Sequence, residues 1–206
     1  MKVAAAIAIG IVGASFVAGS AAVFVPRGVA HQDAARHQAE QPLAPVWSEE
    51  KWPFLLDQWG VGKAFVCSPE DCGVKIEVYI RPKIGFCNCS TGVSDDAELE
   101  RVADTELLSR DFKPLGPSRP VKVGWMRGLS RPYLVSAENQ VPGKSLPTRV
   151  VSIAFNDECD VVVALATLGD GNPETVAPAV IAFLNTKPMV LWAKKEMGLE
   201  FVRRDW

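Results

Sequence analysis

The chain has 206 residues, 48% of them hydrophobic, and a formal net charge of -2. That length can bury one substantial core, so one main domain is expected. With a slightly acidic balance and no run of Lys or Arg, the chain offers no basic stripe to a phosphate backbone, which excludes nucleic acid as a partner class.

Residues 3–25 come after a lone Lys2 and carry no charged side chain. As a helix they reach about 35 Å, enough to cross a hydrocarbon core of about 30 Å, so the lipid bilayer is the partner expected for this stretch. Ala18-Gly19-Ser20 and Gly28-Val29-Ala30 also fit small-residue cleavage sites, so residues 1–25 read as a signal anchor or a signal peptide. Either outcome exports the C-terminal body of the chain. The expectation is a single-pass inner-membrane protein with its body in the periplasm. Residues 26–46 hold both histidines, His31 and His37, with little apolar periodicity, and read as a flexible tether. Residues 47–206 then form the exported domain.

Trp47, Trp52, Phe54 and Trp59 open that domain. So dense an aromatic run either covers the core or grips a ligand, which makes Trp52 and Trp59 binding candidates. Four of the 5 cysteines fall between Trp59 and Gly92. Val74, Ile76, Val78 and Ile80 alternate with Lys75, Glu77, Tyr79 and Arg81, the period of a strand with one buried face. Lys63 to Val66 provides a partner strand through a Ser68-Pro69-Glu70-Asp71 turn, setting Cys67 opposite Cys72, and a Cys67–Cys72 disulfide is expected outside the cytoplasm. Pro82-Lys83 reads as a tight turn returning Ile84 to Cys89 as a third strand, with Cys87 beside Val78 and all four sulfurs on the apolar face. In that register the two cysteine pairs stand roughly 13 Å apart, beyond disulfide reach. Cys87 and Cys89 are the redox or metal candidates. A bridge across one residue is strained and easily reduced, and two thiolates suit a soft ion such as Cu(I). With the meander broken, the four thiols would instead suit a structural zinc.

Ser94 to Val102 combines a cap, early acidic residues and helical spacing, and reads as a short helix. A loop is expected over Phe112 to Pro120, a strand at Val121, Val123 and Trp125, and a turn from Gly128 to Pro132 into Tyr133. Arg149 to Phe155 and Asp160 to Leu168 form a hairpin with Cys159 at its tip. A helix starts near Pro173, with a kink or restart at Pro178, and a second runs from about Pro188 to a stop at Gly198. Strands before helices, joined by short connections, indicate an α+β domain with an antiparallel sheet and C-terminal helices, behind the N-terminal transmembrane or signal helix.

With both histidines in the tether, no Ser-His or Cys-His pair can be assembled in the body, and no nucleotide, zinc-protease or haem motif occurs, so no catalytic residue is assigned. WPFLLDQWG, KIGFCNCSTG and DDAELERV resemble segments of an uncharacterised group of exported or membrane-anchored proteobacterial proteins, over about residues 47–104. The resemblance implies an envelope location and no activity. The element order also resembles that of PsbP-type antiparallel-sheet domains, and a fold does not fix a function. The expected function is a membrane-anchored envelope protein whose external domain is a binding or assembly module, with an envelope protein as its partner. The alternative is a periplasmic thiol-active protein that handles disulfides or binds copper or zinc through the cysteine cluster.

Overall fold

A computed structural model describes residues 45–136 and 148–199, all within one compact unit, Gln41–Trp206. The stretch read as a membrane helix, residues 3–25, lies outside the described residues, as do His31 and His37. No single helix among the described residues is long and apolar enough to cross a membrane.

The described chain is an α+β domain built on one eight-stranded antiparallel sheet in the order β1-β2-β3-β8-β7-β6-β4, with β5 also paired to β6. The strands are β1 Trp47–Glu50, β2 Lys63–Cys67, β3 Ile76–Lys83, β4 Phe112–Pro114, β5 Arg119–Val123, β6 Met126–Val135, β7 Thr148–Asp157 and β8 Asp160–Thr167. At the centre lie β7 and β8, whose nearly unbroken apolar runs suit strands buried on both faces. β8 takes the place beside β3 that the sequence pattern gives to Ile84–Cys89, pairing from Glu77↔Thr167 to Lys83↔Val161. Pro82-Lys83 is therefore the end of a strand rather than a turn, and Cys87 does not lie beside Val78. The physical reason is burial. Asp160–Thr167 offers apolar side chains to both faces of the sheet, whereas Ile84–Cys89 is interrupted by Gly85 and Asn88 and leaves the sheet as a loop.

Three further expectations are corrected. Phe112–Pro114 and Arg119–Val123 are short strands that share one edge of β6, where prolines are tolerated because no further strand needs their N–H. Gly128 to Pro132 is the middle of the ten-residue β6. A Cβ on Gly128 would stand 1.8 Å from the Ala154 carbonyl oxygen, so this glycine marks a close approach of β6 to β7, not a turn. Pro132 fits because its carbonyl accepts from Leu115 N–H, and a strand residue's N–H points to the same side as its C=O, here away from β7. Trp125 lies in the two-residue β5–β6 turn with Gly124, at φ 60°, and not in a strand.

One face of the sheet carries α3 Pro173–Leu184 and α4 Lys187–Glu196, which bury Val176, Val180, Phe183, Met189 and Ala193 against Ile76, Val78, Ile80, Ile153 and Val162. Asn172 caps α3 by accepting from Glu174 N–H, and Pro173 occupies the first turn, where a missing donor costs nothing. The helix passes through Pro178 without restarting. At its end α4 has a left-handed Gly198, with Gly198 N–H bonded to the Lys195 carbonyl and Leu199 N–H to that of Lys194, the pair of bonds of a Schellman cap. The opposite face is also covered, by α2 Asp96–Val102 and the segment after β1, over Tyr79, Tyr133, Val150, Val161, Val163 and Leu165. In α2, Asp95 is the cap, while Asp96 and Glu100 ion-pair with Arg131 and Glu98 with Arg101. Capping and pairing account for those carboxylates.

Candidate functional site

Between β2 and β3 the short helix α1, Pro69–Cys72, begins with Pro and ends at Gly73, which takes φ 74°. It brings Cys72 within a Cα distance of 6.0 Å of Cys67, and the two are joined by a disulfide. Cys67 itself pairs with Ile76 across the strands, rather than lying opposite Cys72. Its sulfur is buried on the helix-covered face. Cys87 belongs to the hydrophobic cluster on the other face, so the expectation of four sulfurs on one face fails.

Cys89 is bonded to Cys159, 70 residues away, with Cα atoms 4.2 Å apart, and Cys87 is free and buried. The two redox or metal candidates are thus separated: Cys89 bridges the loop to the hairpin tip, and Cys87 remains a thiol. Among the described residues no group of three or more His, Cys, Asp or Glu is placed to hold a metal ion.

The loop that delivers Cys89 is built by Asn88. Its side-chain oxygen accepts from Ser90 and Thr91 N–H, its carbonyl accepts from Gly92 N–H at 2.7 Å, and its own N–H donates to Glu98. Gly92 is required twice over: φ is 62°, and a Cβ there would stand 2.4 Å from the Asn156 side-chain oxygen. Asn156 in turn accepts from Val93 N–H and donates to the Glu158 carbonyl. Glu158 turns the hairpin at φ 53°. The Cys87 thiol donates to that same carbonyl at 3.1 Å, and Cys87 N–H donates to the Cys159 carbonyl at 3.0 Å. Burial, with the Glu98 and Asp160 charges, pushes the Cys87 thiol up to about 11. The thiolate is therefore scarce at pH 7, which makes Cys87 a slow nucleophile. Beside the bridge is an open cleft of about 310 Å³ whose walls include Ser90, Thr91, Trp125, Arg127 and Asn156.

The aromatic run has a different setting. Residues 52–62 form a strap across the end of β3, held by a buried charge cluster that the alternation of β3 does not reveal. Arg81, placed by that alternation on the polar face, is 1% exposed, and Lys83 is 3% exposed. The Arg81 guanidinium donates twice to Asp104, at 2.7 and 2.8 Å, and through Nη1 to both oxygens of Asp57. Lys83 Nζ lies 2.7 Å from Asp104 and 2.7 Å from the Val102 carbonyl oxygen. Two cations thus meet two carboxylates. Burial opposes the Arg81 charge, but the hydrogen bonds and charges of Asp104 and Asp57 outweigh it and hold the guanidinium protonated. For Asp57, burial is likewise outweighed by Arg81 and by Trp59 N–H, which together lower its carboxyl below the usual range.

Trp52 packs edge-on to Phe54 at 5.2 Å and Tyr79 at 6.3 Å, under the Arg81 guanidinium. Trp59 packs on Phe86 at 4.5 Å, with the Lys83 ammonium 5.6 Å from its ring. Both candidate tryptophans therefore fasten the strap. Gly62 lets it lie flat, because a Cβ there would meet the Ile80 carbonyl oxygen at 2.4 Å. Between the two fastenings, Leu55 is 91% and Leu56 74% exposed, and Val61 beyond them is 64% exposed. The one sequence signal for this arrangement was the density of aromatics around Asp57, which has to be packed somewhere. No protein-family model matches the chain, and no curated protein sequence matches it.

Proposed function

We propose that this is a single-pass envelope protein, anchored by residues 3–25, whose external domain is a binding or assembly module that docks an envelope protein through the strap. The observation that carries this reading is the contrast within the strap. Trp52, Asp57 and Trp59 are fixed by a buried charge cluster and ring contacts, yet Leu55 and Leu56 between them point into solvent. A flexible loop could fold such side chains away, whereas a fastened one keeps them presented, and side chains already held in place lose little entropy on docking. The two disulfides fit an oxidising compartment, and the uncharged stretch at residues 3–25 fits export.

Burying a leucine contributes about 1.5–3 kcal/mol, so the pair supplies about 3–6 kcal/mol to an interface. Leu55→Asp with Leu56→Asp should leave the fold unchanged and weaken association by about 100-fold or more. The readout is the size of the membrane-extracted full chain on native gels: the wild type migrates as a complex, and the double variant as the chain alone. Identical migration would refute the docking role. An alkaline phosphatase fusion after Trp206 that is inactive in a bacterial host would refute the envelope location.

A further inference from the structure

The junction of the cysteine loop and the hairpin tip carries chemistry that docking does not use. Cys89 is bonded to Cys159, and Cys87, two residues earlier, donates its N–H to the Cys159 carbonyl. A 3.0 Å bond from one residue's N–H to another's carbonyl oxygen holds their Cα atoms within about 7 Å of each other by bond lengths alone, close to the upper end of the range of about 4.4–6.8 Å that a disulfide spans. Cys159 is therefore bonded to Cys89 and has the backbone of Cys87 within about the span of a second bridge. Cys87 and Cys89 differ in surroundings: Cys87 is buried, and Cys89 is exposed on the wall of the cleft that also holds Trp125 and Arg127. Arg127 makes no ion pair among the described residues.

We propose that Cys87, Cys89 and Cys159 form a thiol–disulfide exchange site with two bridged states, Cys89–Cys159 and Cys87–Cys159, the second of which presents Cys89 as a free thiol in the cleft. The Cys87 thiol gives its proton to solvent and the thiolate attacks the Cys159 sulfur. The Cys87–Cys159 bond forms as the Cys89–Cys159 bond breaks, and Cys89 leaves as a thiolate that is free to take a proton from solvent. One bridge and one thiol exist before and after, so no oxidant or reductant is consumed. The net effect moves the thiol from the core to the surface. There the Cys89 thiolate can attack a small anionic disulfide, forming a mixed disulfide and releasing the other half as a thiol, with the Arg127 guanidinium on the same cleft wall supplying the charge that favours both partners. Cys87 faces Glu98 and Asp160, which disfavour its thiolate, and Arg101, which favours it. Exchange is accordingly slow at neutral pH and gains about tenfold in rate per pH unit while the thiolate remains the minor form.

The test uses the full chain in detergent without reductant, exposed natively to iodoacetamide at pH 7 and pH 8, with non-reduced peptides mapped by mass spectrometry. Alkylation at Cys89 together with a Cys87–Cys159 linked peptide, about tenfold faster at pH 8, is expected. A bridge that stays entirely Cys89–Cys159, with Cys87 either modified or untouched, overturns the proposal. Oxidised glutathione, as the probe disulfide, should form its mixed disulfide at Cys89 in the wild type and not in Cys87→Ser; equal modification of both would mean the bridge opens by another route and would also overturn it. Cys89→Ser provides the independent check. It should form the Cys87–Cys159 bridge and contain no free thiol, and two free thiols in that variant would show that Cys87 cannot reach Cys159.

Discussion

Replacing Asp104 by Ala removes the carboxylate shared by Arg81 and Lys83, both of them almost fully buried. Asp57 alone would then face two cations, and its side chain is 39% exposed, so its attraction is partly screened by solvent. Removing one member of a buried ion pair typically costs about 3–5 kcal/mol, because the charge left behind has neither water nor a partner. Against a total stability of about 5–15 kcal/mol for a domain, that is a large fraction. For a chain of this size the loss corresponds to a fall in Tm of about 6–20 °C. Urea and thermal unfolding followed by circular dichroism and tryptophan fluorescence would read it. The comparison that isolates the cause is Asp57→Ala, which should cost about 1 kcal/mol or less because that pair is half open to water. Replacing Arg81 and Lys83 with Met together with Asp104→Leu should recover most of the loss, since an apolar set of similar volume avoids desolvating charge. Should Asp104→Ala lie within about 1 kcal/mol of the wild type, or cost no more than Asp57→Ala, the buried Asp104 pairs do not carry the stability assigned to them.

Gly128→Ala should destabilise the domain by about 4 kcal/mol or more, since its Cβ would collide with the backbone of β7; a folded variant with unchanged Tm would mean that β6 and β7 do not approach as described. The strap should also respond to acid. Asp57 has a folded-state carboxyl held below its ordinary value of 3.8, so its contribution is fully present above that pH and is lost as the pH falls through the lower folded value. Fluorescence from Trp59 should therefore change below pH 3.8 in the wild type and lose that transition in Asp57→Asn; the same transition in both proteins would assign it to another group.

Period-two patterning located β2, the start of β3, β7 and β8, and turn and cap residues located α2, α3 and α4, because each of those signals is local. What local signals could not supply was which strand lies beside which. Pro82-Lys83 has the composition of a turn, and only competition with the more apolar Asp160–Thr167 for the place beside β3 decides against it. The same long-range choice sent Cys89 to Cys159 and buried Arg81, which alternation assigns to solvent whenever the sheet's second face is taken to be open. Gly128 shows the converse error: a residue common in turns occupies a strand because the neighbouring backbone leaves no room for a side chain. The Cys67–Cys72 bridge joins residues with a sequence separation of 5 and so was visible locally, although the connection between them is α1 and not the simple turn expected.

The most direct measurement of the docking claim is site-specific photo-crosslinking in living cells, with benzoylphenylalanine in place of Leu56 on the strap or of Leu191 on α4, a position 47% exposed on the far face of the sheet. A discrete protein adduct from position 56, absent from position 191 and lost when Asp104→Ala loosens the strap, is the predicted result. No adduct at position 56, or the same adducts from both positions, would contradict the assignment of the strap as the docking face.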